Sequence, residues 1–151
     1  MRAVVQRVSR AQVSVDAEVV GAIGTGFLVL LGATHSDTLA DVRVIADKLI
    51  NLRVFEDEAG KMNLSLQQVA GSVLTVSQFT LYADVRRGRR PAFVEAMAPE
   101  PASALVDAFV EHIAAAGIPV QTGRFGAMMQ VELLNSGPVT ILLESREGVL
   151  L

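Results

Sequence analysis

The chain has 151 residues, of which 51% are hydrophobic and 19% charged, so its composition excludes a disordered chain and allows one domain with a buried core. It contains no cysteine, which excludes disulfides, thiolate nucleophiles and thiolate metal sites and favours a cytoplasmic protein. Since the net charge is −3, any nucleic-acid contact has to come from a local basic patch.

The first third of the chain predicts a β-meander. Residues 4–8 and 13–15 alternate with period two, which predicts two half-buried strands. Residues 18–23 and 27–31 predict two more strands. The last of these runs is continuously apolar, so we expect it to be buried on both faces, and it is far too short to span a bilayer.

Two helices are predicted from apolar residues at helical spacing. The first runs from about Asp37 to Arg53, and Thr38 and Asp41 have the spacing of a capping box. Its other face, which includes Asp41, is predicted to be solvated. The second helix runs from about Ala102 to Ala116 and is capped by Gly117. The stripe of the first helix comprises Leu39, Val42, Ile45, Ala46, Leu49 and Ile50.

A polar cluster follows the predicted strand Ser72–Ser77, at Ser77, Gln78, Phe79 and Thr80. Backbone N–H groups that leave a strand end can stabilise an oxyanion, and the hydroxyls can orient a substrate. Two other interpretations stay open. Ser77 or Thr80 could be a nucleophile, although no general base is marked, or both could merely satisfy backbone groups.

A dense basic loop comes next in the chain. It carries Arg86, Arg87, Arg89 and Arg90 in an otherwise acidic protein. Phosphate is the natural partner of clustered guanidinium groups, so the loop favours a contact with RNA. A solvated, mobile loop is the ordinary alternative.

A Gly-Pro pair separates the last two apolar runs, Met129–Leu134 and Val139–Leu143. Gly137 permits unusual backbone torsions and Pro138 cannot donate to a strand ladder, so the pair could form a stiff tip with few side-chain atoms. From the residues alone, a plain hairpin turn is the favoured interpretation.

No metal or cofactor site is predicted. His35 and His112 are the only histidines, and neither has a second ligand at a recognisable spacing. The carboxylates are scattered over predicted turns and helix faces, so a paired acid–base site has no support either.

The segments Ser77–Leu81 and Asn135–Thr140 resemble the two signature motifs of the D-aminoacyl-tRNA deacylases. The resemblance runs in order from Met1 to about Glu144. Several collinear motifs make it more specific than either motif alone. The further matching segments are Val5–Val8, Gly60–Leu64, Arg90–Phe93 and Gln121–Met129.

The resemblance implies a homodimeric enzyme that hydrolyses the ester between a D-amino acid and the 3′ end of tRNA, and that also removes glycine mischarged onto tRNA. It implies that Gly137 and Pro138 are joined by a cis bond. This pair would enter the active site of the other subunit, where its carbonyls reject L-amino acids. No metal and no cofactor are implied.

The resemblance also assigns roles to single residues. Ser77 to Thr80 would line the pocket, and backbone N–H groups near Gln78 and Phe79 would hold the oxyanion while a 2′-hydroxyl of the tRNA assists attack. Thr80 has also been considered as the nucleophile in this family. Arg7 would support the Gly-Pro tip, and Met129 would form part of the pocket wall.

The chain departs from the family pattern in three places. Ser136 stands where the family usually has Asp, and Ala92 stands where it often has Ser. Residues from Arg146 onward extend past the usual end. We expect Ser136 to change a turn hydrogen bond without abolishing the tip.

Together these observations predict one α/β domain, residues 1–145, with a C-terminal tail at 146–151. We expect mainly antiparallel or mixed β-sheets that form a barrel-like core with two packed helices, in a homodimer. The predicted partner is the 3′ end of aminoacyl-tRNA, with no membrane and no DNA. Two alternatives remain: a deacylase with Thr80 as covalent nucleophile, and a non-catalytic module that binds RNA ends.

Overall fold

The bounds of the strands and helices fix where the polar cluster and the Gly-Pro pair lie. The computed structural model describes residues 1–151. The helices are α1 (Leu39–Asn51), α2 (Pro99–Ala115) and one 3₁₀ helix (Phe79–Tyr82). The strands are β1 (Arg2–Val15), β2 (Glu18–Ile23), β3 (Gly26–Gly32), β4 (Phe55–Glu56), β5 (Met62–Leu64), β6 (Ser72–Ser77), β7 (Val120–Thr122), β8 (Gln130–Arg146) and β9 (Val149–Leu150).

A mixed, seven-stranded sheet forms the centre of the domain, with the order β7-β6-β3-β1-β8-β9 and with β2 also paired to β1. The pairs β3–β6 and β6–β7 are parallel, and the other pairs are antiparallel. The predicted α/β domain with two helices is confirmed. The predicted barrel-like core is wrong, because β7 and β9 pair only with β6 and β8 and leave the sheet open.

β1 is a single strand of 14 residues where the sequence predicted two. Its register on β8 shifts between Gln6 and Val8 and again between Val8 and Arg10, so an irregularity replaces the predicted break. The shift changes which side chains face which side of the sheet. Val5 belongs to the core under the helices, whereas Val8 and Val13 belong to a separate cluster on the other face.

Gly137 and Pro138 lie inside β8, so the hairpin interpretation is wrong. Asn135 pairs with Val8 of β1, and Thr140 pairs with Gln6 of the same strand. Both apolar runs therefore continue along β1 in one direction. The residues between them bulge out opposite a single residue of β1, Arg7.

The core has two parts because the helices cover only one face of the sheet. Twenty buried residues, including residues of both helices, form the larger cluster. The seven residues of the smaller cluster all come from strands. On this second face, Leu142 is 76% exposed and pairs across the sheet with Val4. Leu30, the other partner of Val4, packs against the smaller cluster.

The capping box of α1 is confirmed. The Thr38 hydroxyl accepts from the N–H of Ala40, and the Asp41 carboxylate accepts from the N–H of Thr38 at 3.0 Å. The prediction of a solvated Asp41 is wrong: this residue is fully buried and also accepts from the N–H of Gly148 at 3.0 Å. Leu39, assigned to the apolar stripe, is half exposed because it lies at the first helical position.

The remaining elements complete the domain. α2 begins at Pro99, three residues before the predicted start, and buries Phe109 and Ile113. Gly117 follows it with φ +81°. No helix is both long and apolar enough to cross a membrane. Near the chain end, Ser145 and Arg146 of β8 pair with β9, and the boundary between domain and tail at residue 145 stays a prediction.

Candidate active site

The end of β6 presents two adjacent backbone N–H groups without an acceptor. The N–H of Gln78 donates to the carbonyl of Leu31 at 2.8 Å, which ends the pairing with β3. The chain then turns into the 3₁₀ helix, and the N–H groups of Phe79 and Thr80 have no hydrogen-bond partner. They are free because the first N–H groups of a helix have no carbonyl in a preceding turn to donate to. A substrate oxygen at this strand end could accept from both.

The side chains of the cluster are polar but carry no proton shuttle. The side-chain amide of Gln78 donates to the Thr80 hydroxyl. Thr80 and Phe79 are exposed, and Ser77 is half-buried. No histidine or carboxylate contacts either hydroxyl, since His35 lies against the carbonyl of Val94 and His112 against Asp47. The cluster can therefore orient a substrate and stabilise charge, but it does not itself hold a general base.

The Gly-Pro bulge is exposed and is held by side chains at its base. The peptide bond between Gly137 and Pro138 is cis. Arg7, which is 7% exposed, donates to the carbonyl of Ser136 at 2.7 Å and to that of Val54 at 2.6 Å. The Asn135 side chain accepts from the N–H of Val139 at 2.7 Å and donates to its carbonyl at 3.1 Å.

Asn135 thus replaces the backbone pairing that the bulge interrupts. This role of Asn135 was not predicted, although the residue belongs to the motif Asn135–Thr140. An Asn directly before a Ser-Gly-Pro turn was the available signal, because Asn side chains commonly bond to nearby backbone groups. The Ser136 side chain makes no hydrogen bond, so it takes no part in holding the bulge.

The structure does not bring all predicted site residues together in one chain. The bulge lies opposite Arg7, which pairs with Phe27 of β3, whereas Ser77 pairs with Leu31 of β3. Phe27 and Leu31 are about 13 Å apart along a strand, and three strand spacings across the sheet add about 14 Å. The bulge and the end of β6 are therefore separated by roughly 20 Å.

Met129 lies near the end of β6 and not near the Gly-Pro bulge. Its sulfur lies 2.6 Å from the position that a Cβ on Gly123 would take, so this glycine leaves room for the thioether. The N–H of Gly123 donates to the carbonyl of Thr75 at 3.1 Å, two residues before Ser77. The predicted site thus divides into two parts, Ser77–Thr80 with Met129 and Arg7 with the Gly-Pro bulge.

Neither of two clefts on the surface of the chain joins the two parts. A cleft of about 410 Å³, which Arg2, Tyr82 and Arg146 help to line, contains none of the predicted site residues. A smaller cleft of about 190 Å³ includes Arg7 and Ser136.

The basic loop projects from the segment after the 3₁₀ helix. Asp84 and Ala92 exchange backbone hydrogen bonds of 2.7 and 2.9 Å, which closes a short hairpin. Asp84 also accepts from the guanidinium and the N–H of Arg86, and these hydrogen bonds lower the pKa of Asp84 to about 2. The phenyl ring of Phe93 packs edge-on against Phe79, with ring centres 4.9 Å apart.

Known proteins resemble this chain over nearly its whole length. The sequence profile of the family described as D-Tyr-tRNA(Tyr) deacylase matches residues 4–144. A D-aminoacyl-tRNA deacylase of Chloroflexus aurantiacus is 59% identical over 147 residues, which cover 97% of this chain and 92% of that protein. A protein of the same name from Bacillus pumilus is also 59% identical, over 97% of this chain and 100% of its own.

Two solved structures share the fold. The c-Myc DNA Unwinding Element Binding Protein is 46% identical, with a TM-score of 0.91 over 97% of this chain and 99% of that one. A probable eukaryotic D-amino acid tRNA deacylase has a TM-score of 0.81 over 93% of this chain and 97% of its own. At 20% identity, the second comparison concerns the fold alone.

Proposed function

This chain belongs to the D-Tyr-tRNA(Tyr) deacylase family and is an enzyme that acts on aminoacyl-tRNA, and from that premise we propose that it hydrolyses D-aminoacyl-tRNA to the free D-amino acid and tRNA. We extend the proposal to glycine mischarged onto tRNA, because glycine has no side chain to exclude. L-aminoacyl-tRNA is left intact. The reaction takes place in the cytoplasm, where tRNA is charged.

The observation that carries this proposal is the pair of free N–H groups at the end of β6. The carbonyl oxygen of the ester accepts from Phe79 and Thr80, and both bonds strengthen as the oxygen becomes negative in the tetrahedral intermediate. Gln78 contributes its side chain, because its own N–H is bonded to Leu31. One lost donor of this kind typically costs about 10²- to 10³-fold in rate.

Attack comes from water with the help of the substrate. The water oxygen adds to the ester carbonyl carbon, and the 2′-hydroxyl of the terminal ribose assists transfer of the proton to the leaving 3′-oxygen. Ser77 and Thr80 orient the reacting groups. An active site without a side-chain base is workable when the substrate supplies a hydroxyl and the protein supplies position and fixed dipoles.

Selectivity for the D-configuration comes from main-chain atoms of a second copy. The bulge at Gly137–Pro138 is exposed, poor in side-chain atoms and held by Arg7 and Asn135. Its carbonyls exclude an L-side chain while they read little of a D-side chain, so many D-amino acids are accepted. The separation of roughly 20 Å within one chain supports a tip that acts on the partner.

An apolar row on the uncovered face supports the homodimer. Leu142 pairs with Val4, Val4 with Leu30, and Leu30 with Val76 of β6. Leu142 is 76% exposed, Val4 and Leu30 are partly buried and Val76 is buried, so the row is open to a partner at its β8 end. A second copy that covers this row would bring its own bulge close to the strand end.

The alternative of a non-catalytic nucleic-acid module has one observation in its favour, the solved relative named for a DNA element. One experiment separates the two functions. Purified protein is mixed with tRNA charged with D-tyrosine, L-tyrosine or glycine, and the remaining ester is followed over time. We expect loss of the D-tyrosyl and glycyl esters only, whereas a binding module leaves all three intact.

A matched substrate tests the role of the tRNA. D-tyrosyl-tRNA whose terminal ribose carries hydrogen in place of the 2′-hydroxyl should bind but react at least about tenfold more slowly, since general acid–base help is worth that much or more. An unchanged rate would refute assistance by the 2′-hydroxyl without touching the deacylase function itself.

A further inference from the structure

The loop after the 3₁₀ helix is closed at its base by hydrogen bonds. We call residues 84–92 the arginine hairpin. Its stem is closed by the two backbone bonds between Asp84 and Ala92 and by the bidentate contact of Arg86 with Asp84. Gly88 has φ +70°, a left-handed torsion that suits a turn at the tip.

The tip of the arginine hairpin carries uncompensated positive charge. Arg86 is committed to Asp84, but Arg87, Arg89 and Arg90 make neither a salt bridge nor a hydrogen bond and are exposed. The whole chain has a net charge of −3, so this is a local concentration of cations in an acidic protein. Such a cluster complements a polyanion.

An exposed aromatic pair lies at the base of the same hairpin. Phe79 is 57% exposed and Phe93 is 38% exposed, and their planes meet at 70°. Of the other four phenylalanines, Phe27, Phe55 and Phe109 are buried in the core, and Phe125 is 39% exposed but is not paired with another ring. Phe79 also supplies one of the two free N–H groups, so the aromatic surface directly adjoins the candidate oxyanion site.

We propose that the aromatic pair stacks the unpaired terminal base of the tRNA and that the arginine hairpin binds the phosphates that lead to it. This inference rests on the proposed function, because the scissile ester and the terminal base belong to the same nucleotide. A residue that offers a ring and an N–H side by side can hold both. Single-stranded nucleic acids are commonly bound by aromatic faces together with basic groups along the backbone.

The stacking is tested with uncharged RNA, so that the result does not depend on hydrolysis. A short single-stranded RNA with 2-aminopurine as its 3′-terminal base is titrated with protein, and its fluorescence reports stacking. Wild type should quench the fluorescence. Phe93→Leu keeps an apolar side chain and should weaken binding by about 5- to 100-fold and remove most of the quenching. Phe93→Trp should retain both.

A control variant and a second readout complete the test. Val94→Ala removes a side chain that is 70% exposed and adjacent to Phe93, and it should bind like wild type. In the double variant Arg89→Gln/Arg90→Gln, the plot of log affinity against log salt concentration should become shallower. Its slope should be less negative by about 1.4, since each phosphate contact of a single strand contributes about −0.7. Arg43→Gln, an exposed arginine of α1, should leave the slope unchanged.

Two results would overturn the inference. One is a correctly folded Phe93→Leu protein that binds and quenches like wild type. The other is a Phe93→Leu protein whose sedimentation mass changes while quenching stays normal, which would make the aromatic pair a contact between copies. Failure of the proposed function is distinct from both: wild type would then leave D-tyrosyl-tRNA intact, whatever the RNA titration shows.

Discussion

At the scale of single residues, Thr80 presents both a hydroxyl and a free backbone N–H at the end of β6, and the proposed function places both against the substrate. Thr80→Val removes the hydroxyl that accepts from Gln78 but keeps the shape and the N–H. A lost neutral hydrogen bond costs about 1 kcal/mol, so we expect the single-turnover rate on D-tyrosyl-tRNA to stay within about tenfold of wild type. Thr122→Val, at an exposed threonine of β7, is the matched control. A fall to the uncatalysed rate would instead identify Thr80 as the nucleophile.

Arg7 is the residue that ties the bulge to the sheet. Arg7→Met fills a similar volume but leaves the carbonyls of Ser136 and Val54 without their donor. We expect the free energy of unfolding to fall by about 2–4 kcal/mol, measured by urea denaturation. Because the bulge is no longer held, the ratio of D- to L-tyrosyl-tRNA hydrolysis should fall at least about tenfold.

The control for this variant is Arg10→Met, an exposed arginine of the same strand, which should change neither quantity. A folded Arg7→Met protein that discriminates as well as wild type would show that the base of the bulge does not set selectivity.

The polar cluster could be predicted from the sequence, but its free N–H donors could not. Ser77, Gln78, Phe79 and Thr80 stand out because polar residues follow a β-branched strand. Which of their N–H groups is available depends on Leu31, a residue of β3 that is distant in the sequence. Asp41 shows the same limit: its helical position indicates an outward side chain, and only the packing of Gly148 buries it.

At the scale of secondary-structure elements, local sequence patterns predicted whether a segment is a helix or a strand better than they predicted which strands pair. β6 and the capping box of α1 were predicted at their observed positions, since both depend on adjacent residues. The apolar runs on either side of Gly137 would have the same sequence pattern in a hairpin and in one bulged strand. The bulged strand forms because β1 pairs with both runs. The residues around Gly137 contain no local signal of this long-range pairing.

Asp41 joins α1 to the end of the chain and gives stability a predictable pH dependence. Burial raises the pKa of Asp41, but the N–H groups of Gly148 and Thr38 outweigh it and leave the pKa below the usual 3.8. The carboxylate therefore stabilises the fold above about pH 4, and this contribution is lost as the pH falls through the lowered pKa.

Asp41→Asn should reduce the free energy of unfolding by about 1–3 kcal/mol at pH 7. The difference from wild type should shrink below pH 3.8, the usual pKa of this carboxyl group. Urea denaturation at pH 7 and pH 3 measures both values. Asp107→Asn, at an exposed aspartate of α2, is the control. Parallel pH profiles for Asp41→Asn and wild type would show that this carboxylate is not linked to folding.

At the scale of the whole molecule, the end of β6 and the Gly-Pro bulge, which the proposed function places in one active site, lie roughly 20 Å apart in a single chain. The resemblance predicts a homodimer, and the register of the sheet indicates where its interface can lie. The apolar row from Leu142 to Val76 crosses four strands on the face that no helix covers. In the proposed dimer, a second copy covers the open part of this row, at Leu142, Val4 and Leu30, and brings its bulge to the strand end.

Mixed dimers test this arrangement most directly. Phe79→Pro removes one N–H donor at the first position of the 3₁₀ helix, where proline is tolerated, and leaves the bulge intact. Arg7→Met keeps the donors but loosens the bulge. The measurement is hydrolysis of L-tyrosyl-tRNA by Arg7→Met before and after subunit exchange with an excess of Phe79→Pro. We predict that L-hydrolysis disappears while D-hydrolysis persists, because each working strand end then faces an intact bulge. An unchanged ratio of D- to L-hydrolysis would contradict an exchanged bulge.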